Sequence, residues 1–127
     1  MRAVSVKVID ASALAALVFG EPAGDWVADQ IRDSELIAPA LLDYEMANVC
    51  LVKSRKQPAL RNALRRALAM PGPGVETIQV DHMEVLTLAE DTGLTIYDAA
   101  YLWLAQSMGS GLVTLDKQLA AAMASPR

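Results

Sequence analysis

Four short strand-like runs, VSVKVI (residues 4–9), ELIAP (35–39), VETIQV (75–80) and GLVTL (111–115), are each divided from the next by one or more stretches with helical spacing. Two strands joined through a helix cannot make a hairpin, so each crossover returns the chain parallel to the strand it left. A sheet built this way carries helices on its faces and buries both sides of its strands. The expected fold class is therefore α/β, with a central parallel sheet of four or five strands flanked by helices on both faces. The length of 127 residues suits one such unit, and residues 1–127 are expected to form a single domain.

The intervening segments carry their own start and stop signals. Ser12 stands near the start of a helix with the body ALAALVF, stopped by Gly20. Pro22 suits the first turn of PAGDWVADQIRDS, where Trp26, Val27 and Ile31 lie on adjoining turns. In ALLDYEMANVCLVKSR, residues Leu41, Leu42, Met46, Val49 and Cys50 repeat at helical spacing. Pro58 opens a further helix that sets its basic residues opposite Leu60, Leu64 and Leu68, and PGPG (71–74) reads as a loop. DHMEVLTLAEDTG has Asp81 as N-cap and Gly93 as terminator, TIYDAAYLWLAQ is a helix ended near Gly109, and DKQLAAAMA is the last.

In an open parallel sheet, ligands bind beyond the carboxyl ends of the strands. Asp10 directly follows the first strand-like run and Asp116 the last, so both fall at that edge. Taken one at a time, the acids have local explanations. Asp10 and Asp116 each suit an N-cap, and Thr95 with Asp98 matches a capping box, in which an acid in the first turn also suits the helix dipole. Glu45, flanked by Leu41, Leu42, Met46 and Val49, sits at the margin of an apolar face.

Charge is unevenly distributed. The net charge is −4, yet from Met46 to Val75 there is no acid, while Lys53, Arg55, Lys56, Arg61, Arg65 and Arg66 all fall there. Such a stretch is either a solvated helix face or a surface for a polyanion. No apolar run approaches the ~18 residues of a membrane span. The N-terminal segment is interrupted by Lys7 and Asp10 and lacks the pattern of a secretory signal, so a cytoplasmic protein is expected. The single Cys50 is expected as a small buried hydrophobe. The single His82, in a predicted helix away from these acids, excludes catalysis by paired histidines and is expected to be structural.

The segments VIDASALAALV, PALLDYEMANV, GLTIYDAAYLWLA and GLVTLDKQLA resemble, in order and wording, the signature segments of PIN-domain ribonucleases, in particular VapC-type toxins of type II toxin–antitoxin systems. The resemblance covers nearly the whole chain. It implies that Asp10, Glu45, Asp98 and Asp116 form one cluster that binds Mg²⁺ or Mn²⁺, with Ser12 and Thr114 as small hydroxyl positions beside it and Asn48 as a polar residue one turn after the glutamate. Asp10, Asp98 and Asp116 are assigned to the metal and Glu45 to the attacking water. The chain departs from many relatives in ending AAAMASPR, without the run for a fifth strand.

Electrostatics explains why such a cluster would take a cation. Two carboxylates about 4 Å apart repel by roughly 4 kcal/mol at an effective dielectric near 20, against a domain stability of only about 5–15 kcal/mol. Mg²⁺ prefers oxygen ligands and retains water, which suits hydrolysis of a phosphodiester. The implied activity is metal-dependent endoribonuclease cleavage by in-line attack of a metal-activated water, leaving a 5′-phosphate and a 3′-hydroxyl. The basic stretch from Lys53 to Arg66 is the candidate phosphate-binding surface. The resemblance also implies an antitoxin protein that covers the groove, and a homodimer, for which the helices carrying Trp26 or Leu41 could supply apolar area.

Two other readings compete. A Mg²⁺-dependent phosphatase or phosphotransferase also places acids at strand ends, but the haloacid-dehalogenase-like kind needs a second Asp where this chain has Ser12. A receiver domain needs its phosphoacceptor after a central strand, and VETIQVDH offers only Asp81 with the wrong neighbours. A catalytically silent PIN-like binding module is disfavoured by the presence of all four acids.

Overall fold

In the computed structural model, residues 4–70 and 72–125 are described. Among them lie four strands, β1 (Ser5–Ile9), β2 (Ser34–Pro39), β3 (Val75–Ile78) and β4 (Gly111–Val113). Seven α-helices accompany them: α1 (Ala11–Val18), α2 (Gly24–Gln30), α3 (Leu42–Lys56), α4 (Arg61–Ala69), α5 (His82–Thr92), α6 (Ile96–Met108) and α7 (Lys117–Ala124). The four strands form one parallel sheet in the order β3-β2-β1-β4. No fifth strand occurs among the described residues.

That order fixes where a site can lie. From β1 the chain adds β2 and then β3 on one side, and afterwards crosses back to place β4 on the other side of β1. The reversal opens a crevice between the carboxyl ends of β1 and β4. Pairing there runs to the last residues, Ile9 opposite Val113, and the Asp10 amide donates to the Val113 carbonyl at 3.2 Å.

Both faces of the sheet are covered. Successive strand residues point to opposite sides, yet Val8 and Ile9 are both buried, as are Leu36, Ile37 and Ala38. On one flank α6 packs across β1, β2 and β4 with α5 and α7 beside it, and α1 gathers α2 and α3 while α4 rests on α3. α6 contributes most to the core, through Ala99, Ala100, Tyr101, Leu102, Leu104 and Ala105. α4 contributes no fully buried residue; Leu64 and Leu68 are half-buried on its inner side.

The expected caps form. Asp10, Asp81, Thr95 and Asp116 each accept backbone N–H bonds at a helix start. Gly93 and Gly109 end α5 and α6 with φ of +75° and +59°, a left-handed conformation that costs glycine little. Two starts differ from expectation. α2 begins at Gly24, two residues after Pro22, because 21–24 first make a tight turn in which the Gly24 amide donates to the Glu21 carbonyl. Pro58 opens a short 3₁₀ turn, Pro58–Leu60, before α4. Of the loop PGPG, Pro71 lies outside the described residues, as do Pro126 and Arg127 of the terminal run. Cys50 is buried, and no described helix is long and apolar enough to cross a membrane.

Candidate active site at the switch point

Asp10 stands where β1 ends and α1 begins, almost fully buried at 5% exposure. Its Oδ1 accepts the Ala13 amide at 3.0 Å and the Ser12 hydroxyl at 2.7 Å, and its Oδ2 accepts the Thr114 hydroxyl. The two hydroxyls do more than satisfy one carboxylate. Ser12 Oγ accepts the Leu115 amide and Thr114 Oγ1 accepts the Asp116 amide, both at 3.0 Å. Each hydroxyl thus donates to the head of α1 and accepts from the turn after β4, and together they lock Asp10 to the backbone that carries Asp116. Asp116 is exposed and caps α7, its Oδ1 accepting the Leu119 amide at 2.9 Å.

Asp98 lies half-buried in the first turn of α6. Thr95 Oγ1 accepts the Asp98 amide at 3.1 Å, and Thr95 also lends the Asp98 carboxylate some stabilisation. Glu45, in the first turn of α3, is half-buried, and its Oε1 accepts the hydroxyl of Tyr101 from α6 at 2.6 Å. Tyr101 is 1% exposed and was not expected from the sequence, where it reads as one more residue of the apolar helix body. The one clue lay in its type: a buried tyrosine needs a partner for its hydroxyl, and Glu45 was the acid without a cap to make.

Three of the four carboxyls respond to the charge of their neighbours. Burial lifts the Asp10 carboxyl above its usual range, opposed by its three hydrogen bonds and reinforced by the charge of Asp116. Burial also raises Glu45, against the Tyr101 hydrogen bond and with the charges of Asp10 and Asp98. Asp98 is raised by burial and by Asp116 and Asp10, against a hydrogen bond with Thr95. The Tyr101 phenol is pushed far up by burial and by Glu45, so it remains a donor at every physiological pH. The fold therefore assembles acids from four places 106 residues apart in sequence at most, Asp10 to Asp116, into one electrostatically coupled edge.

The donor chemistry is that of a hard divalent cation: carboxylate oxygens and hydroxyls, with Cys50 buried in α3 and His82 exposed at the start of α5. Among the described residues, no three acids are already drawn into a closed ligand cage. Each acid is instead held by its own element, and the second oxygens of Glu45 and Asp116 carry no hydrogen bond within the described residues.

The remaining candidates divide. Asn48 is exposed one turn along α3 from Glu45. Arg55, Lys56, Arg61, Arg65 and Arg66 are exposed, and Arg61, Arg65 and Arg66 border a groove of about 630 Å³ between α3 and α4. Lys53 is committed elsewhere, pairing with Glu21 at 3.1 Å and lying over the Phe19 ring at 5.8 Å. At 1.5 Å per helical residue, Arg55 stands about 15 Å along α3 from Glu45.

A parallel α/β sheet that delivers carboxylates from the ends of its outermost-in-sequence strands to a switch point, and adds two more from helix starts, defines an acid-cluster α/β protein. The PIN domain family model matches residues 7–124. Ribonuclease VapC3 of Pyrobaculum aerophilum is 34% identical over 119 residues, which span 89% of this chain and 91% of that protein. A shorter match, 53% identical over 38 residues and 30% of the chain, is to Exonuclease VapC9 of the same organism, of which it covers 29%. The crystal structure of PAE2754 from Pyrobaculum aerophilum superposes with a TM-score of 0.77 at 31% identity, covering 97% of this chain and 88% of that one. The chain belongs to the PIN-domain family.

Proposed function

We propose that this chain is a divalent-metal-dependent endoribonuclease, the toxin member of a toxin–antitoxin pair. The observation that carries the reading is the coupling of Asp10, Glu45, Asp98 and Asp116 at the switch point, where burial and mutual charge raise three of the carboxyls and so favour a cation among them. Asp10, Asp98 and Asp116 are the residues that would hold Mg²⁺ or Mn²⁺. When bound, the cation supplies a Lewis acid that neutralises charge developing on the phosphodiester and makes water a better nucleophile near neutral pH.

The protein's own groups supply placement. Ser12 and Thr114 fix both oxygens of Asp10 and tie it to the turn carrying Asp116. Tyr101 occupies one oxygen of Glu45 and leaves the other to orient a water and accept its proton as oxygen attacks phosphorus. The new P–O bond forms in line with the P–O3′ bond that breaks, and the departing 3′-oxygen takes up a proton from solvent, which leaves a 5′-phosphate and a 3′-hydroxyl. Asn48 is placed to contact the substrate, and Arg55, Lys56, Arg61, Arg65 and Arg66 receive backbone phosphates away from the acids. The VapC names of the two relatives support an antitoxin partner for this chain. A homodimer is part of the same proposal.

The test is incubation with total RNA and Mg²⁺ or Mn²⁺, with cut sites mapped and their ends identified. Discrete cuts bearing 5′-phosphates, absent in EDTA, are expected. Undiminished cleavage in EDTA, or 2′,3′-cyclic phosphate ends, would contradict the mechanism.

A further inference from the structure

Beside the acids lies a hollow of about 380 Å³ that includes Tyr44, Glu45, Asn48 and Val49 of α3, Tyr97 of α6 and Ala11 of α1. Tyr44 is 82% exposed and Tyr97 62%, although both belong to helices whose other faces build the core. Each tyrosine immediately precedes one of the site acids, Glu45 or Asp98, and Ala11 immediately follows Asp10. The hollow is therefore the lateral continuation of the acid edge. We propose that it is a nucleobase subsite, in which the base of a nucleotide next to the scissile phosphate packs against both Tyr44 and Tyr97 and turns its polar edge to the Asn48 amide. The proposal rests on the ribonuclease reading of the acids.

Three observations select this occupant. A phosphodiester held at the acids carries its flanking nucleosides to either side, and on the α3 side this hollow adjoins it. Its composition suits a base: aromatic side chains and Val49 for the ring faces, and an amide that offers both a donor and an acceptor to the ring edge. An apolar plug from a second copy of the chain would instead press hydrocarbon against the Asn48 amide and the Glu45 carboxylate, which is costly unless each finds a partner.

The experiment uses a short single-stranded RNA carrying one cut site mapped in total RNA, and the same RNA made abasic at each position flanking the cut. Wild type in Mn²⁺ is expected to lose about 5- to 150-fold in kcat/KM when one particular flanking base is removed, the range for one stacked base. Tyr44→Ala and Tyr97→Ala should each lower kcat/KM on intact RNA and add little further loss on that abasic RNA, whereas Tyr44→Phe and Tyr97→Phe should retain most activity. Light scattering and circular dichroism should show the mass and fold of wild type for all four variants. Losses that simply multiply between protein and RNA changes would overturn the subsite. A change of mass that tracks the loss of activity would give the surface to a second copy instead. Either result leaves the acid site intact, because wild type still cleaves; a wild type that cleaves no RNA in Mn²⁺ would overturn both readings.

Discussion

The charge of Asp98 is opposed more strongly than it is supported. The Thr95 hydroxyl accepts the Asp98 amide and also supports its carboxylate, but burial, Asp116 and Asp10 together outweigh that support. Asp98→Asn is therefore expected to raise the melting temperature in EDTA by a few degrees while abolishing RNA cleavage. A lowered melting temperature would return the carboxylate to a purely structural role. Tyr101 behaves in the opposite way. Tyr101→Phe removes the donor that holds Glu45 and should cost about 1–2 kcal/mol in urea unfolding, with kcat falling about tenfold and KM little changed if Glu45 orients the reacting water. The acids were legible because their segments match a family's wording. Tyr101 was not, because its partner lies 56 residues away in sequence and only the fold brings the two side chains within a hydrogen bond.

At the scale of elements, strands and helices read well where local chemistry is decisive: Asp81 and Gly93 bound α5 as expected, and Gly109 ends α6. Boundaries shifted where the chain turns before it coils, as at Gly24 and after Pro58. The basic stretch shows the limit of reading charge from order alone. Its residues are adjacent in sequence, but Lys53 is drawn inward to Glu21 and Phe19 while Arg65 and Arg66 stay exposed along the α4 side of a groove. Reversing Arg65 and Arg66 to Glu should weaken RNA binding and flatten the plot of log K against log salt by up to about 1.4, two contacts at roughly 0.7 each for a single strand. Lys53→Ala should leave that slope unchanged and cost at most about 1 kcal/mol of stability, as expected of a half-exposed ion pair. Equal slopes for all three proteins would make the whole stretch a solvated face.

For the whole molecule, topology is what turns scattered acids into a site. The alternation of strands and helices implied a parallel sheet, but the order β3-β2-β1-β4, which puts the crevice beside both Asp10 and Asp116, depends on which edge β4 chooses. Assembly at that crevice has a consequence for stability. Asp10, Glu45 and Asp98 hold their protons more tightly when folded than when unfolded. Their contribution is present below the ordinary carboxylate value of about 4 and is lost as pH rises through the raised values. In EDTA the melting temperature should fall as pH climbs above the ordinary carboxylate value of about 4, and saturating Mn²⁺ should remove or reverse that fall. Asp81, whose capping bonds hold its carboxyl low, acts only below this window. The proposed single cation site of Asp10, Asp98 and Asp116 can be tested by calorimetric titration of Mn²⁺ into wild type and the three Asp→Asn variants. Saturable binding by wild type, weakened at least about tenfold by each substitution, is expected; binding that is absent from wild type, or unchanged in all three variants, would rule out a shared cation site.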